Sequence, residues 1–255
     1  MIAFRLIRVI LHLITALWTC AVIFPFTDEA GRNWRIRHWS RQLLALFHVK
    51  VELIQRGSPQ EGQRALIVAN HISWLDIFVI DSFYPSHFVA KSDIRDWPIL
   101  GWLCAAAGTV FIARGRLRDV RRIFQDLVSS MQKGQRVAFF PEGTTATQGT
   151  LLPFHANLFE AAIDAKLPVQ PYALRYVDEQ GRFSQTVDFV GETTFVQSMM
   201  MILKGGKVTA QVIVLPTIGT DGAHRRDLAL ASHDAIADAL GIVKAEVPQP
   251  QQASA

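Results

Sequence analysis

The sequence predicts an α/β fold, a mixed and mostly parallel sheet flanked by helices, behind an N-terminal membrane-associated helical hairpin. Three observations predict it. Apolar runs of strand length alternate with amphipathic segments of helix length between Val49 and Gly241, the pattern of a layered α/β domain. Three of the runs end in polar residues that a sheet can gather along one edge: Asn70-His71, Arg114, and Pro141-Glu142-Gly143-Thr144. Residues 1–48 instead mix long apolar stretches with arginine and tryptophan, which suits a membrane interface.

A chain of 255 residues is long enough for one good-sized α/β domain plus an appendage. Half of it is hydrophobic, and the mean hydropathy of +0.20 is high for a soluble protein. The net charge of +4 is unevenly placed: residues 1–50 hold seven basic and two acidic side chains, leaving the remainder at −1. The basic character therefore belongs to the apolar N-terminus, which points to anionic lipid rather than nucleic acid. No basic-aromatic stripe elsewhere suits a nucleic-acid groove. Cys20 and Cys104 form neither a C-x-x-C pair nor a metal spacing and read as buried thiols in apolar runs.

Met1 to Thr27 is apolar behind Arg5 and Arg8, with His12 the one readily charged group from Val9 onward. The span is just long enough for a transmembrane helix, and no A-x-A-like cleavage site marks a signal peptide. Pro25 ends it. Asp28 to His48 sets Trp34, Trp39, Leu43, Leu44 and Phe47 among arginines as a second helix. Both flanks of the first helix are basic, so charge leaves open whether it spans the bilayer or lies in one leaflet. Residues 1–48 form the anchoring hairpin, 49–243 the α/β domain and 244–255, rich in Pro, Gln, Ser and Ala, a disordered tail.

Within the domain, Val49 to Arg56 reads as a strand, Gly57 to Gly62 as a turn and Ala65 to Ala69 as a buried strand. Ser73 is placed to cap a helix from about Trp74 to Ile80. His87 to Lys91 is a short strand, and Asp93 to Ala107 an apolar helix despite Pro98. Gly108 to Ala113 is a strand, and Leu117 to Lys133 an amphipathic helix stopped by Gly134. Arg136 to Phe140 is a strand and Ala156 to Lys166 a helix. Leu167 to Tyr176 is a strand whose prolines suggest an edge or an irregular start. Phe183 to Val190 offers a further strand, Thr194 to Leu203 a helix, Lys207 to Leu215 a half-buried strand, and Asp227 to Leu240 a last helix stopped by Gly241.

His71 sits at a strand-to-helix junction, where side chains reach the surface. A neutral imidazole is a good general base near neutral pH, and a carboxylate on its other ring nitrogen fixes the tautomer. In one continuous helix His71 and Asp76 would point about 140° apart, so a turn between them is required. Ser73-x-x-Asp76 is also a capping-box-like pattern, in which Asp76 serves only the helix end. Arg114 offers a planar fork suited to phosphate, Glu142 a carboxylate, and Gly143 close backbone approach.

These blocks, in this order, resemble the glycerolipid acyltransferase family, to which the 1-acylglycerol-3-phosphate acyltransferases belong. N-H-x4-D is met by Asn70, His71 and Asp76; G-x-x-F-I-x-R by Gly108, Phe111, Ile112 and Arg114; F-P-E-G-T by Phe140 to Thr144; and an apolar proline block, loosely, by Leu167 to Pro171. The resemblance covers about residues 65–215. It implies that His71, oriented by Asp76, deprotonates an acceptor hydroxyl that attacks an acyl thioester directly. It implies that Arg114, Glu142, Gly143 and Thr144 hold a phosphate-bearing lysophospholipid, 1-acylglycerol 3-phosphate above all. Acyl-CoA or acyl-carrier protein would be the donor, with no metal and no cofactor. The domain would sit on the inner membrane, facing the cytoplasm. One departure stands out: many relatives carry Lys or Arg after the phenylalanine that follows the third block, whereas this chain reads Phe154-His155. That leaves open an amino-acid-containing lysolipid as acceptor. Two readings of other classes stand beside it: a non-catalytic lipid-binding protein of the same fold, against which the His71–Asp76 pair argues, and a hydrolase in which water replaces the acceptor.

Overall fold

Leu66–Ala69 is apolar at every position, and the computed structural model shows both faces of that strand buried. Leu66 and Val68 face one core, Ile67 and Ala69 the other, as a central parallel strand requires. The structure describes residues 2–57, 64–97, 99–112 and 117–242. Among them are seven strands: β1 (Val49–Gln55), β2 (Leu66–Ala69), β3 (His87–Lys91), β4 (Val110–Ile112), β5 (Val137–Phe139), β6 (Val169–Val177) and β7 (Val208–Val214). They form one sheet in the order β1-β7-β6-β2-β5-β3-β4. From β6 to β4 all neighbours are parallel; β7 is antiparallel to β6, and β1 runs parallel to β7.

One face of the sheet is covered by α1 (Ile2–Trp18), α2 (Glu29–Leu46), α3 (Leu75–Asp81) and α7 (Phe195–Lys204), which share a core with Tyr172, Leu174 and Tyr176 of β6. The other face carries α5 (Leu117–Gln132), α6 (Glu160–Ala165) and α8 (Arg225–Leu240). α4 (Leu100–Ala106) connects β3 to β4. The chain leaving β2 passes to the first face through α3, and the chain leaving β5 to the second through α6. The connections therefore diverge at the C-terminal ends of β2 and β5, the place where α/β sheets bind ligands.

Local chemistry sets the helix ends. Asp28 caps α2 by accepting from Gly31 N at 2.9 Å, and Thr194 with Gln197 forms a capping box on α7. Gly134 and Gly241 follow α5 and α8 with φ of 94° and 69°, which glycine adopts without cost.

Several expectations need correction. Ser73 does not cap α3: its hydroxyl is buried without a partner, and the turn is made by Asp76, as described below. β6 is interior rather than an edge. Its irregularity is confined to Pro171, opposite the point where β7 ends; Leu215 N donates to Pro171 O at 3.1 Å, while Leu215 O takes the Gln170 side-chain amide in place of the N–H that proline lacks. Residues 183–190 form a short 3-10 turn, Gln185–Val187, with a single bridge from Phe183 to Val177. The helix expected over 93–107 is broken into a 3-10 turn, Ser92–Asp96, and α4, with Ile99 at φ 67° between them. Cys20 and Cys104 are half-buried. Arg114, the tail 244–255 and residues 58–63 of the predicted turn lie outside the described residues.

Candidate active site

β2 stops at Ala69, and the next two side chains act in opposite directions. Asn70 turns inward: its Nδ2 donates to Leu174 O at 3.0 Å and its Oδ1 accepts from Leu174 N at 2.7 Å. The amide thus extends the β2–β6 ladder by one step after the backbone has left it. His71 turns outward, its side chain 19% exposed.

The turn between His71 and α3 is organised by a single oxygen. Asp76 Oδ2 accepts from Ile72 N at 2.7 Å, from Ser73 N at 2.9 Å and from His71 Nδ1 at 2.7 Å. Asp76 therefore serves the helix start and the imidazole at once, which unites the two readings of the S-x-x-D pattern. An acceptor already bound to two backbone N–H groups requires the proton on Nδ1, leaving Nε2 as the basic nitrogen. No hydrogen bond reaches Nε2 among the described residues. The second Asp76 oxygen accepts from the Tyr176 hydroxyl at 2.6 Å, deep in the core.

The chain leaving β5 closes the other side. Phe140 stacks on the His71 ring, centroids 3.9 Å apart and planes within 7°, and Phe88 stacks behind it at 5.7 Å. Glu142 is buried, with Oε1 accepting from His71 N at 2.7 Å and Oε2 from Leu152 N at 2.8 Å. Burial pushes its carboxyl above the usual range, and Asp76 adds to this, while the two N–H groups and His71 pull it down. Ala146 N and Phe189 N bind the carbonyls of His71 and Ile72 at 2.8 and 3.1 Å, so every side of the 70–73 loop is tied. Gly143 has φ 69°, and a Cβ there would stand 3.3 Å from the His155 ring. His155 thus lies against the third block, and Thr144 is exposed beside it. Of the predicted site residues, His71, Asp76 and Glu142 are joined through hydrogen bonds, and Gly143 and Thr144 border them; Arg114 lies outside the described residues.

Sequence reasoning missed Tyr176. Its only signal was an alternation in β6 that puts Tyr172, Leu174 and Tyr176 on one face, and nothing in the sequence said which helix that face would meet. It also read Asn70 and Phe140 only as motif letters, without the clamp and the stacking plate they provide. Among the described residues no group of three His, Cys, Asp or Glu side chains could hold a metal ion.

A family model described as acyltransferase matches residues 48–175. A 1-acyl-sn-glycerol-3-phosphate acyltransferase of Neisseria meningitidis serogroup B is 44% identical over 152 residues, 60% of this chain and 59% of that protein's length. A lyso-ornithine lipid O-acyltransferase of Pseudomonas aeruginosa is 34% identical over 217 residues, 85% of this chain and 82% of that one. The crystal structure of a 1-acyl-sn-glycerophosphate acyltransferase from Thermotoga maritima has the same fold, with a TM-score of 0.58 over 95% of this chain and all of that one at 19% identity.

Proposed function

The chain belongs to the acyltransferase family, and from that premise we propose that it moves a fatty acyl group from a thioester to the free hydroxyl of a lysophospholipid at a membrane. The observation that carries the proposal is the His71 Nδ1–Asp76 contact at 2.7 Å, which leaves Nε2 without a partner among the described residues, on a side chain that is 19% exposed. His71 Nε2 takes the proton of the acceptor hydroxyl as that oxygen attacks the thioester carbonyl. The new C–O bond forms, the C–S bond breaks, and the imidazolium returns its proton to the departing sulfur. Acyl-CoA or acyl-carrier protein is the donor, so the domain faces the cytoplasm from the inner membrane. No cofactor is needed for this chemistry.

The acceptor we propose is 1-acylglycerol 3-phosphate, giving phosphatidic acid, as the name of the Neisseria relative suggests. Arg114 supplies the phosphate fork, Gly143 and Thr144 line the headgroup site, and Glu142 shapes it through the two backbone N–H groups it binds. A second acceptor class, an amino-acid-containing lysolipid, is favoured by one pair of facts. The lyso-ornithine lipid relative aligns over more of the chain, and His155 stands against Gly143 where many family members carry a fixed cation.

The test is acyl transfer by the full-length protein on a panel of lysolipids, with His71→Ala and Asp76→Asn beside it. General-base catalysis contributes about 10²–10⁴-fold, so His71→Ala should lose at least two orders of magnitude. Asp76→Asn, which permits the wrong tautomer, should come close to that. A folded His71→Ala protein with near-normal turnover would remove the assignment. The lysolipid used fastest identifies the headgroup.

A further inference from the structure

We infer that Tyr176 is a positioning residue for acyl transfer: its phenol holds the second oxygen of Asp76, keeping that carboxylate aimed at His71. The inference rests on the assignment of His71 as the base. Asp76 is fully buried, at 0% exposure, and a buried carboxylate stays ionised only if donors replace the water it has lost. Three donors reach Oδ2. Oδ1 has one, the Tyr176 hydroxyl at 2.6 Å, and Asp76 is that hydroxyl's one hydrogen-bond partner among the described residues.

Tyr176 is held from its backbone as well. Its N–H donates to Gln148 Oε1 at 2.7 Å, and its carbonyl accepts from Ser184 N at 3.0 Å. The ring is 1% exposed, in the core shared by β6 and α3. Burial and the charge of Asp76 push the phenol well above its ordinary range, so it is a permanent donor and never a second base. The other titratable groups around the carboxylate work against it. Glu142, after β5, and Asp188, before α7, both feel its negative charge, whereas His71, bound to Oδ2, is a neighbour that can become a cation.

The consequence concerns His71. Without the phenol, Asp76 Oδ1 is buried with no donor, and the carboxylate becomes more basic. A more basic carboxylate stabilises the imidazolium relative to the imidazole, so the base stays protonated to higher pH. A tyrosine that merely fills space would not move that balance.

The experiment compares full-length wild type, Tyr176→Phe and His71→Ala, using 1-acylglycerol 3-phosphate and acyl-CoA across the pH range around neutrality. For Tyr176→Phe we expect kcat to fall about tenfold, as for one lost hydrogen bond to a charged group. KM for the lysolipid should change little, and the acidic limb of the pH–rate profile should move to higher pH. Wild-type kcat and an unmoved limb overturn the inference, as does a fall in kcat with the limb in place. Retained turnover in His71→Ala overturns instead the assignment of the base on which the inference stands. ¹⁵N NMR of the His71 ring nitrogens reads the same upward displacement without any substrate. Should Tyr176→Phe fail to fold, 3-fluorotyrosine at 176 keeps the ring and strengthens the donor. The limb should then move to lower pH, and an unmoved limb overturns the inference.

Discussion

Two buried carboxyl groups stand at the two ends of α3 in opposite electrostatic situations. Asp76, in the first turn, receives three hydrogen bonds on one oxygen and one on the other, and the helix N-terminus adds to their effect. Asp81, in the last turn, has Ser86 N at 3.0 Å and lies at the end of the helix that repels negative charge. Burial pushes its carboxyl well above the usual range, only partly offset by the Ser86 N–H. The folded state therefore keeps the proton to higher pH than the unfolded chain does. In acid both states hold it and Asp81 has no effect on stability. As pH rises past the ordinary carboxylate range, the unfolded chain releases its proton first and stability declines until the folded value is passed. Asp81→Asn keeps the acceptor for Ser86 and removes this slope. We expect its melting temperature to match wild type in acid and exceed it at neutral pH, with acyl transfer unchanged. A melting temperature at or below wild type at neutral pH would refute this.

At the scale of elements, the site depends on how β2 ends. Parallel pairing would stop at Ala69, but the Asn70 amide binds both backbone groups of Leu174 and keeps β6 in register one step further. Tyr176, two residues beyond, is thereby held opposite Asp76. Asn70→Ala leaves the Leu174 N–H and C=O without partners in the core, a loss of about 1–3 kcal/mol. It should lower the melting temperature and, because it loosens the strand that carries Tyr176, depress kcat more than KM; a stable variant with wild-type kcat would count against the coupling. The clamp also shows what could be read in advance. The strand and helix alternation, the polar ends of β2 and β5, and the pairing of His71 with Asp76 were legible because they depend on local pattern and short spacing. The β6 partners, Leu174 of Asn70 and Tyr176 of Asp76, were not, because they lie about a hundred residues away and are fixed by sheet order, which no local pattern encodes. Pro171 misled for the same reason: its missing N–H is tolerable in an interior strand only because β7 ends there and Gln170 supplies a substitute donor.

For the molecule as a whole, the question is how the site meets lipid. The helix Ile2–Phe26 is long and apolar enough to cross a membrane, yet its two sides differ. Val9, His12 and Ala16 are buried against the rest of the protein, whereas Phe4, Ile7, Leu11, Ile14 and Trp18 form an exposed apolar stripe. Polar contacts tie the buried side down. Arg5 donates to Leu203 O at 2.8 Å, and His12 and Trp39 exchange side-chain-to-carbonyl hydrogen bonds at 3.0 Å, with their rings stacked at 4.5 Å. α2 in turn contributes Leu43, Leu44 and Phe47 to the main core. A helix that crossed the bilayer would have to leave these contacts, so we expect α1 to lie in one leaflet with its stripe in the acyl region. Two measurements check this. Wild type should remain with membranes in high salt and at alkaline pH, because apolar burial dominates, while Leu11→Glu with Ile14→Glu should release it. In a background with Cys20 and Cys104 replaced by serine, Ile2→Cys and Asn33→Cys should both react with an impermeant thiol reagent from the same side of sealed vesicles. Labelling of the two from opposite sides would show that the helix spans.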